Sequence, residues 1–472
     1  MTEHNVEFAA PRHAAGLTWR VPVLMAALLT GCSQLTAYQR PAAPVPKHFV
    51  AGIPEAETSA LPDWHTYYPD PSLHALIEAA LANNRDLRIA LARVEEARAL
   101  AGVVRADRFP TLEAQADANH TRTPADLSAT GVARTTSRYD LGLGLTAFEL
   151  DFWGRVAALN EAAKAQYLAS DEAARSFRVS LVGEVADNWF QLAALAEQTR
   201  LASETLKTRE DSLGLIRKRR DAGLATELDV LTAESLVESV RAQWAESRRQ
   251  RTQTENALRL LTGMAVPLPE VPDGSSATLA ALAPGLPSDV LLQRPDVRAA
   301  EQQLIAGNAN VGAARAAFFP RIALTANFGT ASSALAGLFD AGSQAWLFQP
   351  VLTLPLFDAG RNQANLEVAE ARKVQAVANY EKTIQQAFRE VADALVARAA
   401  YGEQLAAQEA NLRAQKARLE QVNARERAGI ANYLEVLDAS REAFSAEQTV
   451  VASRLQLISA QVMLYKALGG GA

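Results

Sequence analysis

The sequence predicts a mainly α-helical protein, laid down twice on one plan, that contributes four β-strands to a membrane. Three observations predict it. Its 472 residues are 49% hydrophobic and 21% charged, with abundant Ala, Leu, Glu, Arg and Gln, a composition that favours long helices. The chain repeats itself: Arg105-Ala-Asp-Arg-Phe-Pro110 returns as Arg315-Ala-Ala-Phe-Phe-Pro320. Gly154-Arg155, Ala222–Leu231 and Leu258–Gly263 return in the same order, at one constant displacement, as Gly360-Arg361, Ala428–Leu437 and Leu464–Gly469. Beyond the N-terminal segment no run of about 18 apolar residues occurs, so a bilayer would have to be crossed by strands.

Residues 1–31 read as a lipoprotein signal peptide. Arg12 and Arg20 precede the apolar core Val21–Leu29, which is too short to span a membrane as a helix, and the ending Leu29-Thr-Gly-Cys32 resembles a lipobox. Cys32 would then be acylated and become the mature N-terminus. Residues 32–71 are a Pro-rich extended tether.

The first repeat, 72–263, opens with a helix over 83–108 that Phe109-Pro110 ends. Leu112, Ala114, Ala116 and Ala118 then alternate with Glu113, Gln115, Asp117 and Asn119, and the chain returns through Leu141, Leu143 and Leu145, so a strand hairpin is expected over about 112–148. After a polar linker, 264–289, the second repeat runs over 290–472 with its hairpin over about 322–355. Aromatic residues gather near both hairpin ends, as at the interfaces of membrane barrels.

After Gly154 and Gly360 come helical patterns of about 65–70 residues, ~100 Å long at ~1.5 Å per residue. In the second, Val377, Ile384 and Val391 recur at heptad spacing, as do Phe388 and Leu395, which predicts coiled-coil seams. Both patterns stop at glycines suited to a left-handed helix end, Gly223 and Gly429. Thr226-Glu-Leu-Asp229 and Asn432-Tyr-Leu-Glu435 then restart a helix with capping-box spacing.

Several functions are excluded by the same residues. A net charge of −6 without an extended basic run leaves no nucleic-acid footprint. One cysteine, six histidines that all lie at or before His120 and no phosphate loop give no metal site and no cofactor. No carboxylate pair stands out as catalytic, and Arg294-Pro295-Asp296 reads as helix-start punctuation. No enzyme is expected. Four membrane strands cannot close a barrel, so the chain must oligomerise, and a dimer, trimer or tetramer would each satisfy the strand count.

The run Leu286-Pro-Ser-Asp-Val-Leu-Leu-Gln-Arg-Pro-Asp-Val-Arg-Ala-Ala-Glu301 and the segment Gly312–Pro320 resemble the TolC-like outer-membrane efflux proteins, in their OprM/NodT lipoprotein branch. Asp70-Pro71, Asn84–Leu87 and Leu464–Gly469 support the resemblance, which covers nearly the whole mature chain. It implies a homotrimer with a twelve-stranded barrel in the outer membrane over a periplasmic α-helical tunnel. It also implies docking to a periplasmic adaptor and an inner-membrane pump of the resistance-nodulation-division type, with small molecules as cargo. A polypeptide secretion channel or a heavy-metal efflux channel would share this fold; a periplasmic coiled-coil adaptor would share the long helical hairpins. Leu434 and Asp438 match the stretch that lines the closed entrance in the family. Arg217, Arg219 and Arg220 lie near the other hairpin turn and are candidate counter-charges to Asp438 across protomers, while Arg441, three residues away on the same helix, offers a plain surface ion pair instead.

Overall fold

The computed structural model describes residues 37–49, 61–263, 268–269, 279–280 and 288–470. The helices are α1 (Trp64–Tyr67), α2 (Pro71–Asn83), α3 (Arg85–Ala106), α4 (Arg155–Asp221), α5 (Glu227–Thr262), α6 (Pro295–Ala316), α7 (Arg361–Arg427) and α8 (Tyr433–Ala467). The strands are β1 (Leu112–Thr123), β2 (Arg134–Leu150), β3 (Arg321–Ser332) and β4 (Gln344–Thr353). They divide between two compact units. One includes Ala97–Tyr167 and Gln302–Val377 and holds all four strands; the other comprises Pro41–Glu96, Leu168–Glu301 and Ala378–Ala472 and is helical. Each unit draws on both halves of the sequence.

In the first unit the strands form one antiparallel sheet in the order β1-β2-β3-β4. The register sorts the side chains by face. Ala114, Leu143, Phe328 and Trp346 lie in one row across the sheet, and Leu112, Leu145, Ala326 and Phe348 in the next row on the same face. Glu113, Gln115, Asp117, Asp140 and Asn327 occupy the other face. The apolar face is open, with Trp346 76% exposed, as a lipid-facing wall requires.

Between Leu145 and Phe148 a bulge shifts the register and puts Ala147 at φ 48°. The simple alternation through Leu141, Leu143 and Leu145 therefore breaks, and the extra residue returns Phe148 and Leu150 to the apolar face opposite Leu324 and Ile322. Gly142 and Gly329 face each other; a Cβ on Gly329 would lie 2.1 Å from the Leu141 carbonyl oxygen, so the close approach of β2 and β3 needs glycine there.

In the second unit Tyr380, Ile384, Ala387, Val391 and Ala394 form the buried stripe of α7, spaced alternately four and three. Ile384 and Val391 lie on the expected seam. Phe388 and Leu395 are only partly buried within the single chain, whereas Ala387 and Ala394 are buried.

The segment from Pro62 to Leu87 is tied to α8, α4 and α5. Tyr67 stacks on Tyr465 with ring centroids 4.1 Å apart, and the Tyr465 hydroxyl donates to the Pro62 carbonyl at 2.8 Å. Asp70 caps α2 by accepting from the Ser72 N–H, and its other oxygen accepts from Trp189 Nε1 at 2.8 Å. Asn84 accepts from the Leu87 N–H and donates to the Leu261 carbonyl. Among the described residues no helix is long and apolar enough to cross a membrane.

Candidate gate at the helical hairpin turns

Helices α4 and α7 have the same length, 67 residues, and end in the same way. Gly223 at φ 76° and Gly429 at φ 72° take the left-handed conformation. The following amides, of Leu224 and Ile430, donate back to the Arg219 and Arg425 carbonyls at 2.8 and 2.9 Å. A Cβ at either glycine would meet nothing within 4 Å, so the backbone angle alone favours glycine. Reciprocal capping boxes, Thr226 with Asp229 and Asn432 with Glu435, start α5 and α8. Under the first turn lies a small core of Leu213, Ile216, Val230, Ala233 and Val237, against which Tyr433 packs.

Asp438 sits in the second turn of α8. One carboxylate oxygen accepts from Arg441 Nη2 on the same helix at 2.8 Å, and the other from Arg418 Nη2 on α7 at 2.8 Å. Arg441 also pairs with Glu442 at 3.0 Å. The acid therefore bridges the two helices of its own hairpin. Leu434, one turn earlier, is exposed.

The duplicate hairpin carries no counterpart. Thr232 stands where Asp438 does and returns its hydroxyl to the Leu228 carbonyl at 2.8 Å; Ser212 and Ser235 stand at the places of Arg418 and Arg441. The basic cluster has other partners within the chain. Arg217 pairs with Glu234 at 3.3 Å, Arg219 with Glu426 at 3.2 Å, and Arg220 with Asp221 and Glu227 at 2.7 and 3.2 Å. Asp221 and Glu227 hold the Arg220 pKa above its ordinary value. Of these contacts, the Arg219–Glu426 pair is the one that joins α4 to α7.

Arg418 escaped the sequence reading because it lies twenty positions before Asp438 on a different helix. Pairing the helices about Gly429 as a hairpin would have found it. The expected signal peptide, Cys32 and the stretches 264–267, 270–278 and 281–287 of the expected linker lie outside the described residues.

A four-stranded sheet with one apolar face, together with paired 67-residue helices that turn back at capped glycines, defines a channel protomer of the TolC-like kind. The chain belongs to the outer membrane efflux protein family, whose profile matches residues 76–264 and again 286–470. It is 46% identical over 461 residues to the solvent efflux pump outer membrane protein SrpC of Pseudomonas putida, covering 96% of this chain and 98% of that one. A membrane protein from Pseudomonas aeruginosa of known crystal structure superposes with a TM-score of 0.88 at 45% identity, over 93% of this chain and 98% of that one. The open state of the MtrE outer membrane channel of Neisseria gonorrhoeae gives 0.84 at 37% identity, over 93% and 98%.

Proposed function

We propose that this chain is the outer-membrane channel of a tripartite efflux pump, a passive conduit for small molecules with no chemistry of its own. The observation that carries the reading is the sheet. Its outward apolar face suits lipid, and its outer strands β1 and β4 would leave backbone groups unpaired in a bilayer at several kcal/mol each unless other copies pair with them. Three copies give the twelve strands that the family resemblance implies, and their helices wall a periplasmic tunnel. An inner-membrane pump of the resistance-nodulation-division type and a periplasmic adaptor complete the system and supply its energy. Solvent-like or drug-like cargo follows from the kinship with a solvent efflux component.

The purified full-length protein in detergent is expected to have a native mass of three chains and to form pores in planar bilayers. A version lacking residues 112–148 and 322–355 is expected to do neither. A monomeric protein that leaves bilayers intact would refute the reading.

In this proposal Cys32 anchors each copy to the membrane. Replacing it by serine is expected to abolish incorporation of a fatty-acid analogue and to slow removal of the leader, while part of the efflux activity survives on a substitute signal peptide because the barrel also holds the protein. Persistent lipid labelling of the serine variant would exclude this anchor.

A further inference from the structure

In the helical unit a groove of about 520 Å³ opens between α4, α5 and α8, a size that suits a small organic ligand. Its wall includes Arg209, which is 7% exposed. Arg209 Nη1 donates to the Leu236 carbonyl at 3.1 Å, and the guanidinium lies 5.7 Å from the centre of the Phe444 ring. Nη2 is buried with no hydrogen-bond partner, and among the described residues no carboxylate pairs with Arg209. Burial, and then the nearby Arg441, lower its pKa, yet a guanidinium keeps its proton, so the charge stays unrelieved.

The groove has one carboxylate, Glu442, and it is engaged with Arg441 at 3.0 Å. The remaining polar lining, such as Gln243, Ser445 and Gln448, is neutral, while Leu236, Val240 and Phe444 give the wall an apolar part. A buried unpaired cation beside an apolar surface is the complement of a molecule with an apolar body and a carboxylate.

We propose that this groove binds amphiphilic organic acids, with the carboxylate on Arg209 and the apolar body against Val240 and Phe444. Nη2 is shielded from water in this arrangement, so binding requires a local widening of the groove. Naming such acids as cargo rests on the efflux reading; the binding itself does not.

The test uses the purified full-length protein, with 2-naphthoate as probe, uncharged 2-naphthamide as control and calorimetry as readout. Naphthoate is expected to bind at least tenfold more tightly than naphthamide. Arg209→Gln is expected to erase that preference, and Arg209→Lys to keep part of it. Gln448→Glu leaves the buried arginine in place and adds a competing carboxylate, so it is expected to weaken naphthoate binding even if Arg209→Gln fails to fold. Equal binding of the two probes, or naphthoate binding untouched by Gln448→Glu, would overturn the proposal. So would the absence of naphthoate binding together with a looser oligomer in Arg209→Gln, which would assign the arginine to a carboxylate side chain of a second copy. Planar-bilayer conductance on the same preparation keeps the two readings apart. Pores without naphthoate binding would sink the groove alone, and naphthoate binding without pores would sink the channel alone.

Discussion

Arg294→Met is expected to destabilise the helical unit by about 3 kcal/mol, the low end of the cost of breaking a buried ion pair. Arg294 lies just before α6 and is 8% exposed. All three of its side-chain nitrogens are used. Nε and Nη2 hold both oxygens of Asp296 at 3.0 and 2.7 Å, Nη2 also reaches Glu390 on α7 at 2.9 Å, and Nη1 donates to the Ala467 carbonyl at the end of α8 at 2.5 Å. Burial opposes the charge, but Asp296 and Glu390 outweigh it and hold the arginine's pKa above its ordinary value. The two carboxylates keep some contact with water, which is why the expected loss stays at the low end. Arg294→Lys loses the fork but keeps the charge, and roughly half the cost is expected. Arg200 makes the comparison decisive. It pairs just as closely with Glu197 and Glu204 on an exposed helix face, and its replacement by alanine should cost only about 0.5 kcal/mol. Thermal loss of helicity of the three variants measures this, and an Arg294→Met curve that coincides with that of the Arg200 variant would refute the buried hub.

The helices and the sheet faces were legible in the sequence because each rests on a local period. The strand alternation survives unchanged along β1 and β3, and the capped glycines announce both turns. What stayed hidden depends on contacts between elements. Nothing local marks Ala147 as the bulge residue. The heptads of α7 could be seen, but whether Phe388 or Ala387 is buried within the chain depends on which helix lies beside it. Arg294 read as punctuation because its partners lie on α7 and α8, far along the chain. Likewise, the two compact units were not visible as sequence segments, since each half of the chain contributes its hairpin to one unit and its helical turn to the other.

Asp438→Ala is expected to change ion selectivity with little effect on stability. Its partners Arg418 and Arg441 are both about half exposed, and surface pairs of this kind contribute only about 0.2–1 kcal/mol each. The expected consequence is electrostatic. In the proposed trimer three Asp438 carboxylates ring the entrance, and a cation passing about 10 Å from each gains about 0.4 kcal/mol per carboxylate at water-like dielectric. Three together give about 1.2 kcal/mol, and screening over a Debye length of about 10 Å reduces the effect, so the cation-to-anion permeability ratio should fall roughly three- to eightfold. The fall should be reinforced by Arg418, which the substitution leaves without its carboxylate, while Arg441 keeps Glu442. Asp438→Asn keeps the side-chain size and should shift selectivity equally, which separates charge from shape. Thr232→Ala, at the matching place of the other hairpin, should change nothing, because that hydroxyl is turned to its own helix. If the Arg418–Asp438 link also holds α7 and α8 together at a closed entrance, the alanine variant should open more often at rest. The measurement is the reversal potential of reconstituted channels in a salt gradient; a value equal to wild type for both Asp438 variants would leave Asp438 as no more than a surface ion pair of its own hairpin.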